Sequence, residues 1–407
     1  MLICAALAAG ESTLSGVSLS QDIHATMDAL GALGAQFTVR DTSPSGATVC
    51  VRGIGGRPRP GNEPLFCRES GSTLRFIIPL CLLSPDARVL QGSARLFSRP
   101  LSAYQALFPS RWGAQAADET RPQDGGRLEI FAGTALNSRV YQLAGDISSQ
   151  FISGLLFALP LCDGDSRLVL SCTPESRPYI DLTLDALRCF GVQARWLSDR
   201  ELFVPGGQAY RPHDGAVEGD ASGAAFFGAL NAFGGEVCVT GLSQDSLQGD
   251  RVYAAHVATL MAHGKSGGEL PRIDLADCPD LAPVLFTVAA AHGGAVFTHT
   301  DRLRIKECDR IAAMQQELAK LGADIRAEDG ADSATAAEVG GIVRVLPCEL
   351  HAPTEPLLGH NDHRVVMSLA VIAVQYGGEI RGAQAVAKSM PDFFDRMRSL
   401  GAVIEEV

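Results

Sequence analysis

The chain has 407 residues, 34 Lys+Arg against 46 Asp+Glu and a formal net charge of −12, with 46% hydrophobic and 20% charged residues. That length suits two or three domains with cores of their own, and the composition excludes a disordered chain. The acidic balance argues against an extended nucleic-acid or anionic-membrane surface, which needs concentrated positive charge.

The opening MLICAALAAG predicts a helix that begins abruptly, since no basic segment precedes its apolar stretch as in a signal sequence. MDALGALGAQFTV then reads as an amphipathic helix ending at Gly34, followed by a hairpin, QFTVRD and ATVCVRG around TSPSG. The same helix end recurs near Gly113, Gly191, Gly264, Gly322 and Gly401, with a second hairpin in QARWLSDRELFVP. Glycine suits a helix C-terminus because it adopts left-handed backbone without strain. Successive spacings of 79, 78, 73, 58 and 79 residues predict six α/β units, three per domain, with a boundary near residues 212–220. LRFIIPLCLL, SSQFISGLLFALPL, DLAPVLFTVAAAHGG and VVMSLAVIAV are apolar all round and read as helices inside the domains.

Residues 1–217 carry 19 basic and 20 acidic side chains and residues 218–407 carry 15 and 26, so an anionic ligand requires a local cluster of cations. The 11 cysteines, from Cys4 to Cys348, form no C-x-x-C pair, which suits reduced thiols in a cytoplasmic protein. No apolar run approaches the roughly 18–20 residues of a membrane helix.

The buried helices begin alike, at Ser70-Gly71-Ser72-Thr73, Ser148-Ser149-Gln150, Asp220-Ala221-Ser222-Gly223, Asp280, and Asn361-Asp362-His363-Arg364. N-capping alone explains each. Hydroxyls with glycine at a helix start also make an anion site, and the Ser70 and Ser148 starts fit that best. Arg75, His363 and Arg364 stand in first turns, where the helix dipole disfavours a cation by roughly 0.3–1 kcal/mol; a bound anion, or Glu69 or Asp362, would relieve this. Lys306 and Arg310 are four apart, on one face if RLRIKECDRI is helical. Only four lysines occur, and Lys306 and Lys388 fall in these polar segments.

In order along the chain, ESGSTLRF, SRP, GDISSQF, SRPYID, VEGDASGAAFF, PDLAPVL, LRIKECDRI, NDHRVVMSLAV and KSMPDFF resemble the 5-enolpyruvylshikimate-3-phosphate synthase (3-phosphoshikimate 1-carboxyvinyltransferase) family. The resemblance covers essentially the whole chain, and K-E-x-D-R with N-D-H-R is specific. The UDP-N-acetylglucosamine enolpyruvyl transferases share the fold but typically carry a Cys in the loop G-G-C-x-I-G-x-R. The corresponding LQGSARLFSRPLSAY has none, which favours the shikimate branch.

The resemblance implies the α/β two-domain enolpyruvyl transferase fold, with six βαβαββ units around an inter-domain cleft. Residues 1–217 would form the shikimate 3-phosphate side and 218–407 the phosphoenolpyruvate and catalytic side. The implied reaction moves the enolpyruvyl group of phosphoenolpyruvate to the 5-hydroxyl of shikimate 3-phosphate and releases phosphate, without metal or organic cofactor. By motif match, Ser148, Ser149, Gln150, Ser176, Asp280 and Lys306 would hold shikimate 3-phosphate. Gly71, Arg99, Gln150, Arg310, Arg364 and Lys388 would hold phosphoenolpyruvate. Asp280 would be the base, Glu307 the proton-transfer partner and Lys306 a further catalytic group. The implied partners are the two small-molecule substrates, with no nucleic acid or membrane, and the implied state is a cytoplasmic monomer.

Relatives begin with a strand and a loop of type S-K-S-x-x-x-R-A-L-I, and Met1-Leu2-Ile3 aligns with its last three residues, so the resemblance implies a start upstream of Met1. Glu69 and Arg302 each stand where relatives often have Asn. A lost charge-assisted contact is worth roughly 1.5–3 kcal/mol. A non-catalytic relative that binds a phosphorylated metabolite is the alternative, against which Asp280, Glu307, Arg310, Arg364 and Lys388 are all retained.

Overall fold

A computed structural model describes residues 1–43, 46–61, 63–328 and 340–406. They divide into two compact units, Met1–Val217 and Glu218–Val407.

In the first unit, Leu65–Phe66 runs parallel to Arg88–Gly92, which pairs antiparallel with Gly126–Ile130, itself antiparallel to Trp112–Ala117. Val140–Leu143, Ser166–Leu170, Glu201–Val204 and Arg195–Ser198 repeat that plan. Each copy is a strand–helix–strand–helix–hairpin. A third sheet joins Glu11–Val17, Gly46–Arg52 and Gln36–Ser43, and Gly215–Ala216 adds parallel to Glu11–Val17. The turn between the last two hairpin strands, at 44–45, lies outside the described residues.

The second unit has the same plan in Arg272–Asp274, Ala295–Thr298, Ile342–Leu346 and Asp324–Glu328, plus a parallel pair, Leu357–Leu358 with Ile380–Arg381. Segment 402–406, which follows the expected helix end at Gly401, forms no strand among the described residues.

Burial follows the sequence pattern. Gly126–Ile130 and Ser166–Leu170 alternate buried and outward residues, so each packs one face. Helix Arg177–Cys189 buries only Ile180, Thr183 and Leu187, one stripe, whereas Ala282–Ala291 buries nine of its ten residues. Helices ending at Gly34, Gly191, Gly322 and Gly401 do so with positive φ, as expected. Two positions differ. Gly113 lies inside strand Trp112–Ala117, after a helix that already stops at Leu107, and Gly264 lies inside helix Tyr253–Ser266, whose left-handed terminator is Gly267. An Ala-rich helix carries one Gly in its last turn at modest cost, roughly 1 kcal/mol.

One local conflict fixes the packing beside the site. Pro79 sits inside helix Gly71–Leu82, so the carbonyl of Arg75, four residues earlier, has no amide to accept from. The hydroxyl of fully buried Tyr104 lies 2.9 Å from that oxygen and 2.9 Å from the Phe151 carbonyl of helix Ser149–Ala158. Gly154 makes room, because a Cβ there would lie 2.6 Å from the Arg75 oxygen. No helix among the described residues is long and apolar enough to cross a membrane.

Candidate active site

In the first unit the site residues gather at three helix starts, after Ser70, Ser148 and Ser176. Ser70 caps helix Gly71–Leu82, accepting from the Thr73 amide at 3.3 Å, and the two hydroxyls lie 2.8 Å apart. Ser148 caps helix Ser149–Ala158 and accepts from the Gln150 amide at 3.4 Å. Arg75 is 5% exposed; its Nη1 donates to Gln150 Oε1 at 2.7 Å, and its guanidinium lies 5.1 Å from the centre of the Phe151 ring. A Cβ on Gly71 would stand 2.6 Å from Arg99 Nη1 and 3.2 Å from Arg75 Nη1. Two guanidiniums therefore lie over a bare backbone at a helix N-terminus, an arrangement suited to carboxylate or phosphate.

Ser149 and Ser176 are buried. Ser176 has left-handed φ (57°) just before helix Arg177–Cys189. The parallel pairing of Val140–Leu143 with Ser166–Leu170 brings the segments after both strands to one end of the sheet, where the Glu175 amide donates to the Gly145 carbonyl at 3.3 Å. Ser148, Ser149, Gln150 and Ser176 thus share that end.

The second unit holds the charge network. Asp280 lies in a short 3₁₀ turn, Pro279–Leu281, with helix Ala282–Ala291 beginning after it. Its carboxylate receives Arg310 Nη1 at 2.7 Å, Lys306 Nζ at 3.3 Å and Arg364 Nη2 at 3.1 Å. Arg310, 1% exposed, also donates from Nη2 to Glu307 Oε2 and from Nε to Asp362 Oδ2, both at 2.8 Å. Asp362 is fully buried, and its Oδ1 accepts from the Arg364 amide at 2.8 Å to cap helix His363–Tyr376. Lys388 Nζ donates to the Asn361 carbonyl at 2.7 Å.

Burial alone would raise the Asp280 carboxyl, but Arg364, Lys306 and Arg310 together hold it well below the usual range. Burial likewise opposes the Arg310 charge, and Asp362, Glu307 and Asp280 override it. Burial lowers Lys306, with Asp280 acting against it. Asp250, nearly inaccessible and hydrogen-bonded by the Ser222 hydroxyl, is pushed up to about 6, first by burial and then by Asp280. His363 is pushed down to about 4 by burial and the Arg364 charge, so it is neutral, and Arg364 is the cation of that first turn.

Lys306 and Arg310 do not share a helical face. Lys306 follows a 3₁₀ turn, Asp301–Ile305, in extended backbone, and Asp309 caps a helix whose first residue is Arg310. The cap interrupts the helix that the spacing suggests; the two cations meet instead at one Asp280 oxygen, which offsets the repulsion that Arg310 still exerts on Lys306. Arg302 turns its Nη2 to the Ala276 carbonyl at 2.7 Å.

Three residues of this network carried weak sequence signals or none. Arg75 was visible as a cation in a first turn, and Asp362 only as a cap. Asp250 carried none. Behind Asp362, His360 and Asn361 are successive non-glycine residues with φ of 48° and 53°, a conformation costing of order 1 kcal/mol per residue.

The sequence matches the profile of the family described as EPSP synthase (3-phosphoshikimate 1-carboxyvinyltransferase) over residues 1–397. Proteins named 3-phosphoshikimate 1-carboxyvinyltransferase from Clostridium perfringens (strain SM101) and Clostridium kluyveri are 35% and 36% identical, covering all of this chain and 93% and 92% of theirs. An EPSP synthase structure from Acinetobacter baumannii superposes with a TM-score of 0.71 at 22% identity, over 99% of this chain and 93% of that one. The enolpyruvyl transferase NikO from Streptomyces tendae gives 0.66 at 15% identity, over 100% and 92%.

Proposed function

The chain belongs to the EPSP synthase (3-phosphoshikimate 1-carboxyvinyltransferase) family, and from that premise we propose how its residues carry out the reaction. The enzyme transfers the enolpyruvyl group of phosphoenolpyruvate to the 5-hydroxyl of shikimate 3-phosphate and releases phosphate, a step of the shikimate pathway.

Both substrates carry phosphate and carboxylate, so binding them together needs fixed cations. Arg310, Arg364 and Lys388 of the second unit, with Arg99, Gln150 and the Gly71 backbone of the first, hold phosphoenolpyruvate. Ser148, Ser149, Gln150 and Ser176, with Asp280 and Lys306, hold shikimate 3-phosphate. Guanidiniums suit this task because they stay charged and grip oxyanions through paired N–H groups.

The observation that carries the reading is Asp280 under three cations, joined through Arg310 to Glu307. While Lys306, Arg310 and Arg364 point at it, Asp280 is a weak base. Substrate anions compete for those cations, and each one drawn away raises its proton affinity. The 5-hydroxyl oxygen then bonds to C2 of phosphoenolpyruvate as its proton passes to Asp280, and Glu307, which takes up a proton when substrate draws Arg310 away from it, gives that proton to the methylene carbon. Phosphate leaves C2 and takes up the proton held by Asp280, while a proton of the new methyl group returns to Glu307, which restores the double bond and both carboxyl groups. Positioned acid–base groups of this kind contribute about 10²–10⁴-fold.

The eleven cysteines are all unpaired, which supports a cytoplasmic enzyme, and the family resemblance supports a monomer. Phosphate release from phosphoenolpyruvate tests the reading. It should require shikimate 3-phosphate; release without it, or none with both substrates from a protein extended upstream by the S-K-S-x-x-x-R loop, would refute the assignment.

A further inference from the structure

We infer that Glu317 and His360 are positioning residues, which lock the turn presenting Lys388 and Arg364 onto the helix that carries Arg310. The inference rests on those three cations holding phosphoenolpyruvate.

Glu317 lies in helix Arg310–Ala319 and is completely buried. Its Oε2 receives Lys320 Nζ and the Leu358 amide, both at 2.7 Å, and its Oε1 lies 2.7 Å from His360 Nε2. Lys320 Nζ also donates to the Pro356 carbonyl at 2.9 Å. Lys320 supplies the counter-charge that a carboxylate at this depth requires. The two remaining contacts of Glu317 go to one stretch, the end of strand Leu357–Leu358 and the turn after it.

That turn is the unusual piece of backbone here. His360 and Asn361 both have left-handed φ, the Asp362 amide donates back to the Gly359 carbonyl at 2.9 Å, and the Asn361 carbonyl faces outward to take Lys388 Nζ. Residue 362 then binds Arg310 and caps the helix of Arg364. A conformation that two side chains disfavour persists only where the surroundings over-determine it. Glu317 supplies that from behind, through the Leu358 amide on one side of Gly359 and the His360 ring on the other. Helix Arg310–Ala319 thus carries Arg310 in its first turn and, two turns on, the clamp for the segment that leads into the helix of Arg364 and holds Lys388 through the Asn361 carbonyl.

Two variants separate positioning from general support. His360→Asn keeps a residue that tolerates left-handed backbone but cannot make the His360 contact. Glu317→Met with Lys320→Met keeps the volume and removes the buried charge pair together with the acceptors of the Leu358 and His360 contacts. Each should raise KM for phosphoenolpyruvate about tenfold and leave KM for shikimate 3-phosphate within about twofold. His360→Asn combined with Lys388→Ala should be little worse than Lys388→Ala alone, because residues acting through one contact are not additive. An unchanged phosphoenolpyruvate KM in both folded variants, or equal rises for both substrates, would overturn the inference while Lys388→Ala still impairs phosphoenolpyruvate binding. If Lys388→Ala and Arg364→Ala themselves leave that KM unchanged, the binding reading fails and the positioning role falls with it.

Discussion

Arg310 Nε and Asp362 Oδ2 meet at 2.8 Å, with Arg310 1% exposed and Asp362 fully buried. This contact joins the start of helix Arg310–Ala319 to the start of helix His363–Tyr376, and Arg310 spends its other nitrogens on Asp280 and Glu307. Removing one partner of such a pair leaves an uncompensated charge in a site with little water. Arg310→Met should therefore lose about 3–5 kcal/mol in urea unfolding, and adding Asp362→Asn should recover part of it. Full additivity of the two losses would show that the residues are not coupled.

Gly71→Ala separates binding from stability. Alanine is the better helix former, and the obstruction is the far end of a flexible side chain, Arg99 Nη1 at 2.6 Å. Stability should stay within about 0.5 kcal/mol, while displacement of the guanidinium raises KM for phosphoenolpyruvate about tenfold. An unchanged KM would mean that Arg99 does not need to lie over Gly71.

Tyr104→Phe probes the repair of the proline-broken helix. The ring keeps its packing, but the Arg75 carbonyl loses the donor that replaces the missing Pro79 amide. An orphaned buried acceptor costs about 1–3 kcal/mol, which a thermal or urea melt resolves. Pro79→Ala supplies the missing amide, so it should soften the Tyr104→Phe loss.

His363 sets an acid limit. Its folded-state pKa is pushed down to about 4, against an ordinary value of 6.5, by burial and by Arg364. The unfolded chain therefore takes up a proton at a higher pH than the folded one. Stability from keeping this ring neutral is complete above pH 6.5 and is lost as pH falls toward 4, by about 3 kcal/mol in all. His363→Gln should flatten the pH dependence of unfolding between those values. An identical slope in the variant would show that the ring does not titrate as described.

Much of this was legible in the sequence because its causes are local. Apolar runs all round a helix mark Ser149–Ala158 and Ala282–Ala291 as interior, and Ser70, Ser148 and Asp362 cap the helices they precede. The terminators at Gly34, Gly191, Gly322 and Gly401 are equally local. Local signals also misled. Gly264 resembles a terminator but sits in a helix that packing sustains to Ser266, and the spacing of Lys306 and Arg310 suggests one face until the Asp309 cap intervenes. What stayed hidden is long-range. Nothing near Arg75 points to Gln150, 75 residues on, nothing near Pro79 points to Tyr104, and nothing near Glu317 points to Leu358 and His360.

The central claim is that Asp280 is the base and that the three cations on it are the anion grip. Asp280→Asn tests both halves in one protein. The predicted result is a fall of about 10²–10⁴ in kcat for shikimate 3-phosphate-dependent phosphate release. The same variant should bind inorganic phosphate as tightly as the parent or more so, because Lys306, Arg310 and Arg364 lose their competing carboxylate. A folded variant that keeps kcat within about twofold would contradict the account, as would one that loses phosphate binding along with turnover.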